Sequence, residues 1–295
     1  MNELDKESKY LEYDKYFEKQ IKEGLHIDIS VDDVASEFER FKSKPGDIHA
    51  QPNKNKTVLY FQQDNFYRVE KELFSNNPDI RHRLIENREK YLFKPYTRIR
   101  DAEMLRGFKI SGVHQSYSHF SPLWTKWFAE TYNLKYVADP FGGWGHHMLG
   151  FAAAGCNYIY NDLSHNTVEG VRRMNEFFGF GYTILEGDAS AFKIPDECDS
   201  VFMCPPYYNT EIYECEPFES IYEFNLLMLN VFDNCKSSDA HVIGVIIRED
   251  YEYLLEQGLG RWDRKELVNK AVSHFSKSGK SGEYIYVWED RQRVS

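Results

Sequence analysis

Cysteine is scarce in this chain of 295 residues. Five stand at positions 156, 198, 204, 215 and 235, an odd number with no Cys-x-x-Cys pair among them. That pattern excludes a closed disulfide frame and a thiolate zinc site, and it fits reduced thiols in a cytosolic protein. No apolar run approaches the roughly 20 residues that cross a bilayer. Met1-Asn-Glu-Leu-Asp-Lys6 is charged and has no apolar signal core. A cytoplasmic protein with no membrane partner is therefore expected. Excess positive charge is missing too. Lys and Arg total 36 against 47 Asp and Glu, a net charge of -11, which over the whole chain argues against a nucleic-acid partner. Internal repeats and low-complexity tracts are absent. His146-His147 is a poor chelate, because neighbours on a helix do not share a face, and no metal is expected.

Aromatic residues are plentiful, with 21 Tyr and 21 Phe, which suits thick cores or stacking surfaces. The length accommodates one large domain, or a catalytic domain with a smaller one. Residues 1 to about 41 read as two helices divided near His26-Ile-Asp-Ile-Ser30. Ser30-Val-Asp-Asp33 has the hydroxyl and acids of a helix start. Lys42 to Lys56 is a loop by its Pro, Gly and Asn content. Thr57-Val-Leu-Tyr-Phe61 reads equally as a short strand or the start of a helix.

Between Arg81 and Lys109 the balance of charge reverses, with nine Lys and Arg against four Asp and Glu, and Tyr91, Phe93 and Tyr96 interleaved. This is either a solvated helix face with internal ion pairs or a surface that contacts phosphates, with Arg98 and Arg100 as candidates.

From about Gly112 short apolar runs alternate with helical stretches. Strands are expected over Tyr136–Phe141, Tyr158–Asp162, Tyr182–Leu185, Asp199–Met203, His241–Ile247 and Glu283–Trp288. Helices are expected from a Ser121 cap and Pro122 through Tyr132, then over His146–Ala154, Asn166–Phe178 and Ile221–Asn234. Such alternation means a mostly parallel sheet covered on both faces.

Four polar or rigid groups fall at the carboxyl ends of successive strands. Asp139-Pro-Phe-Gly-Gly-Trp-Gly145 is a turn that lets a ligand lie against the main chain at a helix N-terminus. Asp162 is placed for ribose hydroxyls, or caps a helix. Asp188 is placed for an adenine amino group, or caps a turn. Cys204-Pro-Pro-Tyr207 ends the fourth strand stiffly, because two prolines cannot continue a central strand. The ends of parallel strands are where ligands bind in open α/β sheets.

These residues resemble the S-adenosylmethionine-dependent methyltransferases that modify exocyclic amino groups of DNA bases, adenine N6 or cytosine N4, over roughly Gly112 to Trp288. Phe141, Gly143 and Gly145 fill the family's Phe-x-Gly-x-Gly cofactor motif, with Asp139 before it. Asp162 and Asp188 match its ribose and adenine acids. His119-Phe-Ser-Pro122 looks like the motif that helps hold the methionine part, with Ser121 and Pro122 in it. Cys204, Pro205, Pro206 and Tyr207 correspond to the catalytic motif, with Cys204 where Asp, Asn or Ser is usual. Cysteine is nearest the serine version, a slight tilt toward cytosine N4. Carbon-5 pyrimidine chemistry, by contrast, calls for Pro-Cys.

The resemblance implies an α/β, Rossmann-like methyltransferase fold, a mostly parallel seven-stranded sheet with helices on both faces. It spans 111–295 and follows a mainly helical, partly basic N-terminal region, 1–110, that serves target recognition or is accessory. It also implies S-adenosylmethionine as cofactor, and DNA as partner ahead of RNA. It further implies a monomer or homodimer, a place in restriction–modification, and Tyr208 and Asn209 beside the target base. A degenerate fold that binds without turnover is the alternative.

Overall fold

The computed structural model describes residues 29–51, 55–63, 65, 120–208, 218–269 and 282–289, with isolated positions 8, 11 and 15. The expected division near residue 110, the first of the two N-terminal helices, and Arg98, Arg100 and Asn209 lie outside the described residues.

Helix α1, Val31–Ser43, begins at a capping box. The Asp33 backbone N–H donates to Ser30 Oγ, and the Ser30 N–H donates back to the Asp33 carboxylate. Its buried face is Val34, Glu37, Phe38 and Phe41. The ambiguous segment is a helix, α2, Lys56–Phe61. Its start is set from outside, because the Thr57 N–H donates to the buried carboxylate of Glu37, 2.7 Å away. An acid satisfies an orphan N–H at the end where the helix dipole favours negative charge. Helix α3, Pro122–Tyr132, has the expected Ser121 cap and first-turn proline.

The sheet has seven strands: β1 Tyr136–Asp139, β2 Asn157–Asp162, β3 Thr183–Glu186, β4 Ser200–Met203, β5 Val242–Arg248, β6 Arg264–Asn269 and β7 Glu283–Trp288. Their order is β3-β2-β1-β4-β5-β7-β6. The first five run parallel, and β7 is antiparallel to both its neighbours. This is the Rossmann-like, mostly parallel seven-stranded architecture expected. Strand β1 stops at Asp139 rather than Phe141, because Pro140 has no N–H to extend a ladder.

The connecting helices are α4 His146–Ala154, α5 His165–Phe178, α6 Ile221–Lys236 and α7 Glu252–Leu259. Alternate residues of the strands feed two cores. Phe202 packs on one face with residues of α1 to α5, and Val201 and Met203 pack on the other with those of α6 and α7. Val34, Phe38, Val58 and Phe61 belong to the first of these cores. Residues 29–61 are thus built into the wall of the sheet domain.

Chain order places the site. The path runs β1, β2, β3 toward one edge, then crosses back so that β4 lies beside β1. The crevice between the carboxyl ends of β1 and β4 is the topological switch point, where open α/β sheets bind ligands.

Candidate active site

The turn after β1 is pinned at nearly every peptide group. The Phe141 N–H donates to Asp139 Oδ1 at 3.0 Å, and the Gly142 N–H to the Asn161 carbonyl at 2.8 Å. The Gly143 N–H donates to Asp162 Oδ2 at 3.0 Å, while Tyr160 OH donates to the Gly143 carbonyl at 2.7 Å. Gly143 and Gly145 have φ of 57° and 97°, a region that favours glycine. A Cβ on Gly143 would meet no described atom within 4 Å. The loop is therefore rigid, and among the described residues nothing covers it at Gly143, the form of a cradle for a flat ligand.

Asp139 itself is fully buried. Its Oδ2 accepts from Tyr158 OH at 2.7 Å and lies 2.7 Å from His147 Nδ1. With its other oxygen on Phe141, the carboxylate is saturated by the protein, and its contribution is to hold the turn and α4. His147 is thus a partner of Asp139.

Asp162, at the end of β2, keeps part of its surface at the cleft. Its Oδ1 accepts from the Ser164 N–H at 2.9 Å. Burial pushes its carboxyl up from 3.8 to about 6, against the two backbone N–H groups that favour the charged form. Asn161 Nδ2 joins the ends of β1 and β3, donating to the carbonyls of Pro140 and Gly187. Asp188 is exposed and caps a short 3₁₀ turn, accepting from the Ser190 N–H at 2.7 Å. Ser121 and Pro122 are buried in the start of α3, and the Ser121 hydroxyl caps that helix. They border a cavity of 260 Å³ between α1 and α3 that Gly143 and Asp162 do not line.

Across the switch point, Cys204 leaves β4 half-buried, followed by buried Pro205 and half-buried Pro206. Tyr207, the aromatic of the expected catalytic motif, is packed inward, with 8% of its surface exposed. Its hydroxyl donates to Glu283 Oε1 at 2.8 Å. Its ring stacks on Tyr251 with centroids 5.7 Å apart, and the Arg248 guanidinium lies 4.5 Å from the ring centre. Arg248 and Glu283 are register partners at the ends of β5 and β7. The double-proline loop is thus tied down through Tyr207. Tyr208 keeps more of its surface and leans on Phe224, 6.4 Å away.

Sequence reasoning missed Arg248, Tyr251 and Glu283, and also Gln62. The Gln62 amide donates to the carbonyls of Trp144, 3.3 Å, and Thr167, 3.0 Å. A cation closing the strong strand β5 was the available signal for Arg248. Nothing local marks Gln62.

No protein-family model matches the chain, and no curated protein does. Among solved structures it is similar to TrmN from Thermus thermophilus, 14% identical, covering 57% of this chain and 48% of that one, TM-score 0.42. It is similar to a protein from Pyrococcus horikoshii provisionally assigned as an RNA methyltransferase, at 16%, 72%, 99% and 0.43 in the same order. A third is a predicted N6-adenine-specific DNA methylase from Listeria monocytogenes, at 14%, 60%, 53% and 0.42. The chain spans about half the length of the first and third. At such identities and scores, the activity has to be read from this chain's own residues.

Proposed function

We propose that the chain is an S-adenosylmethionine-dependent methyltransferase acting on an exocyclic amino group of a DNA base, adenine N6 or cytosine N4. The observation that carries this reading is the pairing across one switch point. A bare, pinned glycine cradle with a carboxylate beside it faces a strand end stiffened by two prolines. The residues fit the cofactor. The open space over Gly143 takes a flat ligand, Asp162 accepts hydrogen bonds from ribose hydroxyls, and Asp188 Oδ2 accepts one from an adenine amine. Ser121 and Pro122 support the methionine end by fixing the start of α3. When bound, S-adenosylmethionine supplies a methyl carbon on a sulfonium, whose sulfur leaves as a neutral thioether.

The rest is done by the chain's own groups. An exocyclic amine is conjugated with its ring and is a weak nucleophile. Hydrogen bonds from it to Cys204 Sγ and to the Pro205 carbonyl draw it toward tetrahedral geometry and localise its lone pair. With the cofactor held over Gly143, this lone pair would take its methyl carbon, and the amine proton would leave to solvent. Alignment supplies most of the acceleration. Thiol sulfur is a weak acceptor, so the Pro205 carbonyl carries more of the load here. Tyr207 positions this loop, and Tyr208 is the aromatic with surface left for a flipped base.

A fold that binds the cofactor without turnover is the second reading, favoured by the packed ring of Tyr207. Calorimetry with S-adenosylmethionine tests the cradle. Tritiated methyl transfer to duplex DNA beside transfer RNA, with the modified nucleoside identified by mass spectrometry, tests the target. Binding without transfer selects the second reading. Transfer to the RNA alone overturns the DNA assignment, and absence of binding overturns both readings.

A further inference from the structure

Next to the double-proline loop lies a patch that the methyl-transfer reading does not use. Ile221, Tyr222 and Leu226 on α6 are 42%, 71% and 47% exposed, and Tyr253 on α7 is 47% exposed. They surround Asn225, whose side-chain oxygen accepts from Tyr253 OH at 3.2 Å. Residues 222 and 226, and 221 and 225, are neighbours on the helix surface, so the four make one patch. Phe224, in the same helical turn, lies 5.5 Å from Tyr251 and 6.4 Å from Tyr208.

Charge decides what fits there. Described residues 218–260 hold eight Asp and Glu against Lys236 and Arg248. Arg248 is paired with Asp250, and Lys236 with Asp233 at the far end of α6. Glu219, Glu223 and Glu256 are exposed, with no ion pair among the described residues. A phosphate backbone is repelled from such a face. Basic side chains are attracted to it, and their ammonium or guanidinium groups pack over exposed tyrosine rings.

We infer that this α6–α7 face docks a basic polypeptide, with Lys or Arg over Tyr222 and Tyr253 and apolar side chains on Ile221 and Leu226. The test is fluorescence anisotropy of the full chain with a labelled lysine–leucine peptide, beside a labelled single-stranded oligonucleotide. The peptide binds, more weakly as salt rises. Tyr222→Ala with Tyr253→Ala weakens it about fivefold to thirtyfold, the worth of two exposed cation–π contacts. Tyr253→Phe keeps the ring and most of the binding. Glu219→Lys with Glu223→Lys weakens it more than the remote pair Glu176→Lys with Glu197→Lys. Cofactor affinity is unchanged in the tyrosine variants, which separates this surface from the methyl-transfer reading. Absence of peptide binding overturns the inference. So does insensitivity to the tyrosines, or equal loss in the remote pair. Oligonucleotide binding that the tyrosine variants abolish also overturns it, by making the face a nucleic-acid surface.

Discussion

On the function proposed above, with the cofactor's ribose on Asp162, this one carboxyl makes the protein's stability and its cofactor affinity depend on pH in opposite directions. The carboxyl is held at about 6 in the folded chain against an ordinary 3.8. A raised carboxyl favours the protonated form on folding, so folding takes up a proton between those two values. Stability from this group is highest below pH 3.8, falls as pH rises through the window, and is level above 6. The whole gap, at 1.36 kcal/mol per unit, is about 3 kcal/mol. Roughly 1.4 kcal/mol of it falls between pH 5 and 8. Binding runs the other way, because ribose hydroxyls donate to the ionised carboxylate. Affinity for S-adenosylmethionine should rise about tenfold from pH 5 to neutrality, as the protonated fraction is removed.

Asp162→Asn removes the titration but leaves an amide –NH₂ facing one of the two N–H donors, Gly143 or Ser164, at a cost of about 1–3 kcal/mol. Urea unfolding of both proteins at pH 5 and 8 isolates the effect, since other groups cancel in the difference. The variant's stability deficit should be about 1.4 kcal/mol larger at pH 5 than at pH 8. A wild-type-minus-variant difference that does not move with pH refutes the reasoning. So does cofactor affinity that is equally steep in the variant.

Gly143→Ala should cost about 1 kcal/mol in stability, the penalty for a side chain at positive φ, yet weaken cofactor binding far more in calorimetry, because the added methyl fills the cradle. Gly150→Ala places a Cβ 2.0 Å from Thr125 Oγ1 and 2.1 Å from the Pro122 carbonyl, and should lower stability by about 1–3 kcal/mol in urea unfolding. Glu283→Ala and Tyr207→Phe each remove the hydrogen bond from Tyr207 OH to Glu283 Oε1 that ties the double-proline loop to β7. Turnover should fall with cofactor affinity unchanged, and the double variant should be no worse than either single, whereas additive losses would separate the two residues.

The parts legible in the sequence are those whose cause is local. Strand β5 reads as a strand because six successive residues, Val242 to Ile247, are buried, and the α3 start reads from Ser121 and Pro122 alone. Strand β6 and helix α7 were missed because neither is an apolar run. Arg264, Lys265 and Glu266 lie on an edge strand held by ion pairs to Glu249, Glu252 and one another. Thr57–Phe61 was undecidable because the group that starts the helix, Glu37, comes from another helix. Within the site, the glycines and Asp162 were legible because a strand-end turn shows in residue order. The packing of Tyr207 was not, since Glu283 is 76 positions away in the chain and reaches it only through the antiparallel return of β7.

The two halves of the cleft are braced by opposite ends of the chain, and this bears on how they work together. The cofactor turn takes most of its pins from β1 and β2, which lie inside the sheet and are as rigid as the core. The Trp144 carbonyl is pinned instead by Gln62, which is buried and also holds the Thr167 carbonyl at the start of α5. Asn65 in turn donates to Gln62 Oε1 at 2.7 Å. The residues just past α2 therefore complete the cradle, and the chain runs from them into the stretch that carries the nine Lys and Arg. The acceptor loop is pinned through Tyr207 to β5 and β7, at the other side of the switch point. A ligand spanning the crevice touches two loops whose supports share no residue. The distance between the two loops is then set by the β1–β4 pairing between them.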